Sequence, residues 1–287
     1  MLQLAAGAHV YLRGREALQF GLDATRAGVI EATGAPLIMA TLLGTRRGRP
    51  RADLAAGLVA AGLAPAAAHS LLDDLLAYRI LIPCVRPAVI LLGRGRLAQL
   101  LTELLGDAGV TVRSPIRGES EYAYLAAAEV RVPVVVVDRL AHSRATAPML
   151  ARFSDTSLPV SVVDQRGVIG PVRVDATGPC PLCADLHHTD RDSFWHRVVT
   201  QLPGGPVHPS PATLAMVAGQ ATALIAALTG VPAPPGVVPL SPQPGEVTVT
   251  DPWAGVSHQT MAPHPRCPVC FTYGQRKASM TESSCAP

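Results

Sequence analysis

The sequence predicts an α/β protein in which a small mixed module, 1–85, precedes a doubly wound, Rossmann-type sheet over 86–271. Three observations carry that prediction. The apolar run Ala88-Val89-Ile90-Leu91-Leu92 passes directly into Gly93-Arg94-Gly95-Arg96-Leu97-Ala98 and then into a helical leucine pattern, Leu97, Leu100, Leu101, Leu104 and Leu105. A buried strand, a glycine turn and a helix in immediate succession open a doubly wound unit. The run 132–137 is β-branched throughout except for Pro133, as suits a strand covered on both faces. Two Cys-x-x-Cys pairs, Cys180/Cys183 and Cys267/Cys270, mark the later part of the same unit.

In the first module, 9–12 and 18–21 are short extended segments around the polar turn Arg13-Gly14-Arg15-Glu16, and 28–32 adds a third strand. Helical patterns follow at 36–43, 51–61 and 64–78. In the last, Leu71, Leu72, Leu75 and Leu76 recur at helical spacing. Ile80-Leu81-Ile82 then closes the module as a strand. Strands, three helices and a returning strand describe a small winged-helix-like module, with a hinge at 83–89.

After the glycine turn and its helix, 110–113 is the second strand of the larger unit. Asp138 stands at the carboxyl end of the buried run 132–137. Strands at 159–163 and 168–174 flank the turn Asp164-Gln165-Arg166-Gly167. The first cysteine pair follows, then a helix containing Phe194 and Trp195. A long helix, 213–228, stops at Gly230, as helices commonly do. A proline-rich connector (231–244), a last strand (246–250) and the second cysteine pair complete the unit. The polar segment 272–287 is expected to be a disordered tail.

Composition excludes several classes of function. Of 287 residues, 48% are hydrophobic and 16% charged, which suits a chain that buries a core. A net charge of +3 is too small to argue for nucleic acid or an anionic membrane. Four arginines crowd Arg46-Arg47-Gly48-Arg49-Pro50-Arg51, a stretch best read as a solvated loop rather than a DNA contact. Residues 207–245 lack Asp, Glu, Lys and Arg, and 211–230 approaches spanning length. Its Ala, Thr and Gly content around Gln220 favours a buried helix over a membrane span. The first residues lack a basic region and a long apolar core, so no signal peptide is expected and the location is cytoplasmic. Lys277 is the only lysine.

That compartment favours metal over disulfide for the paired cysteines. Each pair has knuckle-like surroundings, Gly178-Pro179-Cys180-Pro181-Leu182-Cys183 and Pro265-Arg266-Cys267-Pro268-Val269-Cys270. Two residues between thiols let both sulfurs converge on one ion, and two such knuckles complete a tetrahedral shell. Cys180, Cys183, Cys267 and Cys270 are therefore the expected ligands of a structural zinc ion. Four protein ligands leave no open position for chemistry. Cys84, in the hinge, is expected to be a partly buried, inert thiol and Cys285 an oxidisable one. His187, His188 and His264 are read as exposed bystanders, while Phe194 and Trp195 pack the metal layer onto the sheet. No Ser/His/Asp or Cys/His set supports a catalytic centre.

In order of parts, residues 86–270 resemble the ThiF-like fold shared by ubiquitin-activating enzymes and their bacterial relatives. With the first module included, the chain resembles the leader-peptide-binding partner proteins of YcaO cyclodehydratases in azole- and azoline-forming (bacteriocin-type) peptide pathways. The resemblance implies that a precursor's leader adds a strand near 28–32 and packs against the helix 64–78. It also implies a YcaO-type partner and a homodimer formed through the α/β body. The family's nucleotide site would fall at Gly93, Gly95, Ala98 and Asp138. Here the sequence departs from the family: Arg96 and Ala98 replace the third and fourth glycines of its loop. No carboxylate stands near Arg113-Ser114 where a ribose clamp belongs, no lysine precedes Lys277, and Ala141 follows Asp138 where a second acid is usual. The nucleotide site is therefore expected to be vestigial, ATP is not an expected cofactor, and the protein is expected to be a non-catalytic leader-binding subunit. The alternatives are an active ThiF-type adenylyltransferase and a winged-helix DNA-binding regulator.

Overall fold

The computed structural model describes residues 1–23, 28–128, 132–202, 204–206 and 208–272. Nearly all of the expected tail, with Lys277 and Cys285, lies outside them. The chain divides into two compact units, Met1–Arg86 together with Val231–Leu240, and Pro87–Gly230 together with Ser241–Pro287.

The first unit runs β1 (Leu2–Leu4), β2 (Val10–Leu12), β3 (Ala17–Phe20), β4 (Val29–Glu31), α1 (Ala35–Leu43), α2 (Arg51–Ala60), α3 (Pro65–Ala77) and β5 (Leu81–Pro83). Strands β2, β3 and β4 form an antiparallel sheet in that order, and β1 pairs with β5. Period-two burial turns Leu18 and Phe20 of β3 inward. Each helix offers a stripe at helical spacing: Ile38 and Leu42, Leu54 and Leu58, then Ala68, Leu72 and Leu75. These residues meet in one core. The arginine stretch connects α1 to α2. Within it Arg49 bridges to Leu2, and Arg51 pairs with Asp73 at 2.7 Å. It is thus a helix–helix connection, not a wing between strands. Cys84 is exposed rather than partly buried.

The second unit comprises β6 (Ala88–Leu92), α4 (Arg96–Asp107), β7 (Thr111–Arg113), α5 (Glu121–Ala126), β8 (Val134–Val137), α6 (Ser143–Phe153), β9 (Ser157–Val163), β10 (Arg166–Ile169), α7 (Pro181–Arg191), α8 (Trp195–Val199), α9 (Pro211–Leu228), β11 (Glu246–Asp251) and β12 (Gly255–Thr260). One seven-stranded sheet has the order β12-β11-β10-β9-β8-β6-β7. Strands β7, β6, β8 and β9 are parallel; β10, β11 and β12 continue antiparallel. Only the first half is therefore Rossmann-like. The reason is local: the Asp164–Gln165 turn, with Asp164 at φ +56°, is too short for a crossover and returns β10 against β9. β8 is buried along its whole length, as its unbroken valines require. Helix α9 is long and apolar enough to cross a membrane, with mean hydropathy 1.5. Here it lies against the sheet and α4, burying Val217, Ala218, Ala221 and Ile225.

Candidate functional site

In the first unit a groove of about 1020 Å³ opens between β4 and α3. The register fixes what β4 offers it. Ile30 stands opposite Leu18, the Phe20 amide donates to the Gly28 carbonyl at 3.0 Å, and the Ala32 amide donates to the Glu16 carbonyl at 2.8 Å. In an antiparallel pair, bonded and non-bonded positions alternate. Gly28, Ile30 and Ala32 therefore serve the ladder with β3, and the amides and carbonyls of Val29 and Glu31 face outward. Among the described residues no strand pairs with that outer edge. Across the groove, α3 presents Ala67, Ser70, Leu71, Asp74, Leu75 and Tyr78 as a single stripe. Pro235, Gly236 and Val237 supply a further wall, where Arg79 donates to the Val237 carbonyl at 2.7 Å. The sequence placed the edge strand and the helix. It missed the wall, because a proline-rich connector carries no periodicity that shows where it packs.

In the second unit the four paired cysteines converge. Their sulfurs all lie within 4.8 Å of one another, and Cys180, Cys183 and Cys267 are buried. The separations are 3.8 Å for Cys180–Cys183, 3.6 Å for Cys180–Cys267 and 3.4 Å for Cys183–Cys270. A disulfide would bring two sulfurs to about 2.05 Å. Four sulfurs about 2.3 Å from a central ion would sit about 3.8 Å apart. The donor set therefore fits a tetrahedral thiophilic metal ion. Both pairs also start helical turns: Cys180 caps α7, and Cys267 directly precedes the turn at 268–272. Helix amino termini stabilise thiolates. Hydrogen bonds from Cys180 and Cys183 hold Cys270 down at about 2, whereas hydrogen bonds to Cys183 and Cys270, with burial, push Cys180 up. Thiolates this close together repel one another, so full deprotonation of the cluster needs a cation.

A second fastening lies beside the thiols, and sequence reading missed it. His264 is buried, not exposed. The Arg266 amide donates to its Nδ1 at 3.1 Å, which leaves Nε2 to donate to Asp190 at 2.9 Å. Arg266 also pairs with Asp190. His187 packs edge-on against the His264 ring. Cys183, His187 and Asp190 share one face of α7, so a single stripe faces the second knuckle. Trp195 does pack onto this layer, stacking on His188 at 4.2 Å and donating to the buried Asp185 at 3.0 Å. Phe194 does not; it is 62% exposed.

The residues of the expected nucleotide loop come together at the carboxyl ends of β6 and β8. Gly93, at φ +141°, lies so close to Val137 that a Cβ would sit 2.5 Å from the Val137 carbonyl oxygen. Gly95 caps α4, Arg96 is exposed, and Ala98 is buried in the first helical turn. Asp138, at φ +51°, is 8% exposed and accepts from the Val162 amide at 3.0 Å. The Gly205 backbone lies over it, where a Cβ would come within 2.6 Å of the carboxyl carbon. Burial raises this carboxyl to about 6, against the opposing effect of the Val162 hydrogen bond.

A raised folded-state value means that the fold favours the protonated acid. Stability is then greatest below the unfolded value of 3.8 and is lost as pH climbs through about 6. Asp138→Asn keeps the acceptor and tolerates the left-handed backbone. It is expected to gain on the order of 1–2 kcal/mol at pH 7.5, and the gain should shrink toward zero near pH 4. Chemical denaturation at the two pH values checks this.

No family model matches the chain, and no curated protein matches it. Among solved structures, the heterocyclase TruD aligns with 94% of this chain and 42% of its own, at a TM-score of 0.55 and 15% identity. This chain has the fold found within a heterocyclase. A heterocyclase in complex with substrate and cofactor aligns with 94% of this chain and 39% of its own, at a TM-score of 0.54 and 17% identity. The chain thus spans about two fifths of the length of those heterocyclases.

Proposed function

We propose that the protein is a non-catalytic subunit that binds the leader of a ribosomally made precursor and presents the precursor to a YcaO-type, ATP-dependent cyclodehydratase. One observation carries this reading: the outward backbone groups of Val29 and Glu31 face a groove whose far side is the α3 stripe. An extended peptide can satisfy those groups as an added strand while its side chains take register from the groove walls. Holding the leader raises the local concentration of the segment to be cyclised, so presentation alone accelerates processing. A fold found within a heterocyclase supports the same assignment.

In this reading the winged-helix-like first unit is the recognition module, and the ThiF-like second unit docks the catalytic partner and forms a homodimer. The nucleotide site at Gly93, Gly95, Ala98 and Asp138 is vestigial. Two features support that: Asp138 is spent on the Val162 amide beneath Gly205, and Arg96 and Ala98 stand where glycines would admit phosphate. Zinc is the ion we assign to Cys180, Cys183, Cys267 and Cys270, in a reducing cytoplasm that keeps the thiols available. Its role there is structural, since four protein ligands fill the shell.

The test is calorimetric titration of the full chain with synthetic leaders of short Cys-, Ser- and Thr-rich precursors encoded beside its gene. Saturable one-to-one binding by one of them is expected, together with faster heterocycle formation when the protein is added to a neighbouring YcaO-type enzyme. Absence of binding by every such leader would contradict the proposal.

A further inference from the structure

We infer that the β4–α3 groove selects a cationic strand, with Lys or Arg placed to meet Glu31 and Asp74 between apolar residues that cover the groove's exposed side chains. This rests on the reading that the groove takes a peptide strand, and adds what that strand must carry.

The charges of the lining motivate it. Glu31 and Asp74 both line the groove, as does Asp23, which already has an interaction of its own; no Lys or Arg stands among the described lining residues. Two described arginines near the groove are committed elsewhere. Arg51 takes Asp73, the neighbour of Asp74, and Arg79 donates to the Val237 carbonyl. Among the described residues neither Glu31 nor Asp74 has a cation. Glu31 is also one of the two β4 residues whose backbone faces outward. A residue directly opposite it on an added strand would bring its Cβ within about 4.5–5.5 Å, easy reach for an ammonium or guanidinium group. An Asp or Glu there would be repelled at the same distance. Asp74 sits within the α3 stripe, one turn from both Leu71 and Tyr78.

The apolar half of the requirement is equally local. Leu22 is 82% exposed and Tyr78 71%, and Val29 and Val237 are exposed beside the same groove. A strand that covers them while answering two carboxylates has mixed apolar and basic character. That chemistry fits a peptide better than a nucleic acid, whose phosphates the acidic lining would repel.

The experiment selects random dodecapeptides for binding to the full chain and then measures the affinities of the winners. Lys and Arg should outnumber Asp and Glu among them. Glu31→Gln with Asp74→Asn should weaken binding roughly 5- to 20-fold, as expected for two partly exposed pairs. High salt should weaken the parent and spare the double variant. Two blocking variants, Ala67→Trp and Val29→Pro, locate the bound peptides. If blocking abolishes binding but the winners are neutral or acidic, or the double variant binds unchanged, the groove takes a strand and the charge inference is overturned. If neither blocking variant affects binding, the peptides bind elsewhere, and the groove reading falls together with this inference.

Discussion

Exchanging Cys267 for Ser is expected to strip the protein of its metal and to lower its melting temperature by about 10–20 °C. Apparent binding energies of structural zinc run to about 10–16 kcal/mol, comparable to the whole stability of a domain, about 5–15 kcal/mol. Here the ion would join segments that lie 87 positions apart. Serine keeps the shape of the side chain but offers no thiolate. Without a cation, thiolates packed this closely would repel one another, so the metal-free cluster gains little cohesion from its thiols. The His264–Asp190 contact and the packing of Leu182 and Val269 would remain, so a loss of order 5 kcal/mol is expected rather than the full binding energy. Elemental analysis should find one zinc per parent chain and close to none in the variant. A chelator should reproduce the loss in the parent, and Cys84→Ser, exposed in the other unit, should change neither quantity.

Replacing Val29 with Pro is expected to weaken leader binding by about 2–3 kcal/mol, roughly 30- to 150-fold, with little change in melting temperature. The asymmetry follows from the ladder. The Val29 amide faces outward, so proline removes a donor that β3 does not use. Its ring also occupies the place of an incoming carbonyl. Ile30→Pro would instead break the ladder with β3 and unsettle the fold. Val29→Thr keeps the donor and a β-branched side chain, and should bind as the parent does. Fluorescence anisotropy with a labelled leader, beside thermal melts of all three variants, distinguishes loss of the edge from loss of the fold.

What could be read from the sequence depended on whether burial left a periodic trace. β6 and its glycine turn were plain, because a central parallel strand must be apolar on both faces and the turn must let Gly93 approach Val137. The cysteine pairs were equally legible, since their spacing is imposed by the geometry of two sulfurs on one centre. Helix α6 was not. Its buried face is Ser143, Thr146, Ala147 and Leu150, mostly small or polar, and Pro148 lies within it. Helix α7 hid for a related reason: its buried Cys183 and Asp185 lie two residues apart, on different sides of the helix, so no apolar stripe marks it. Strand β12 is exposed along its whole length and, among the described residues, pairs only with β11, so no alternation marks it. The His264–Asp190 fastening escaped because a histidine beside a knuckle looks the same whether exposed or buried. The groove was half legible: strand and helix each had a pattern, but the wall at Pro235–Val237 depends on a tertiary contact that its own residues do not signal.

Amide hydrogen exchange on the full chain, with and without its cognate leader, tests the leader-binding claim most directly. Saturating leader is expected to slow exchange at Val29 and Glu31, the two outward amides of β4, and along α3, while peptides from the glycine turn at Gly93–Gly95 are unaffected. Bound leader that leaves β4 exchanging at its free rate, or that protects the glycine turn and Asp138 instead, would contradict it.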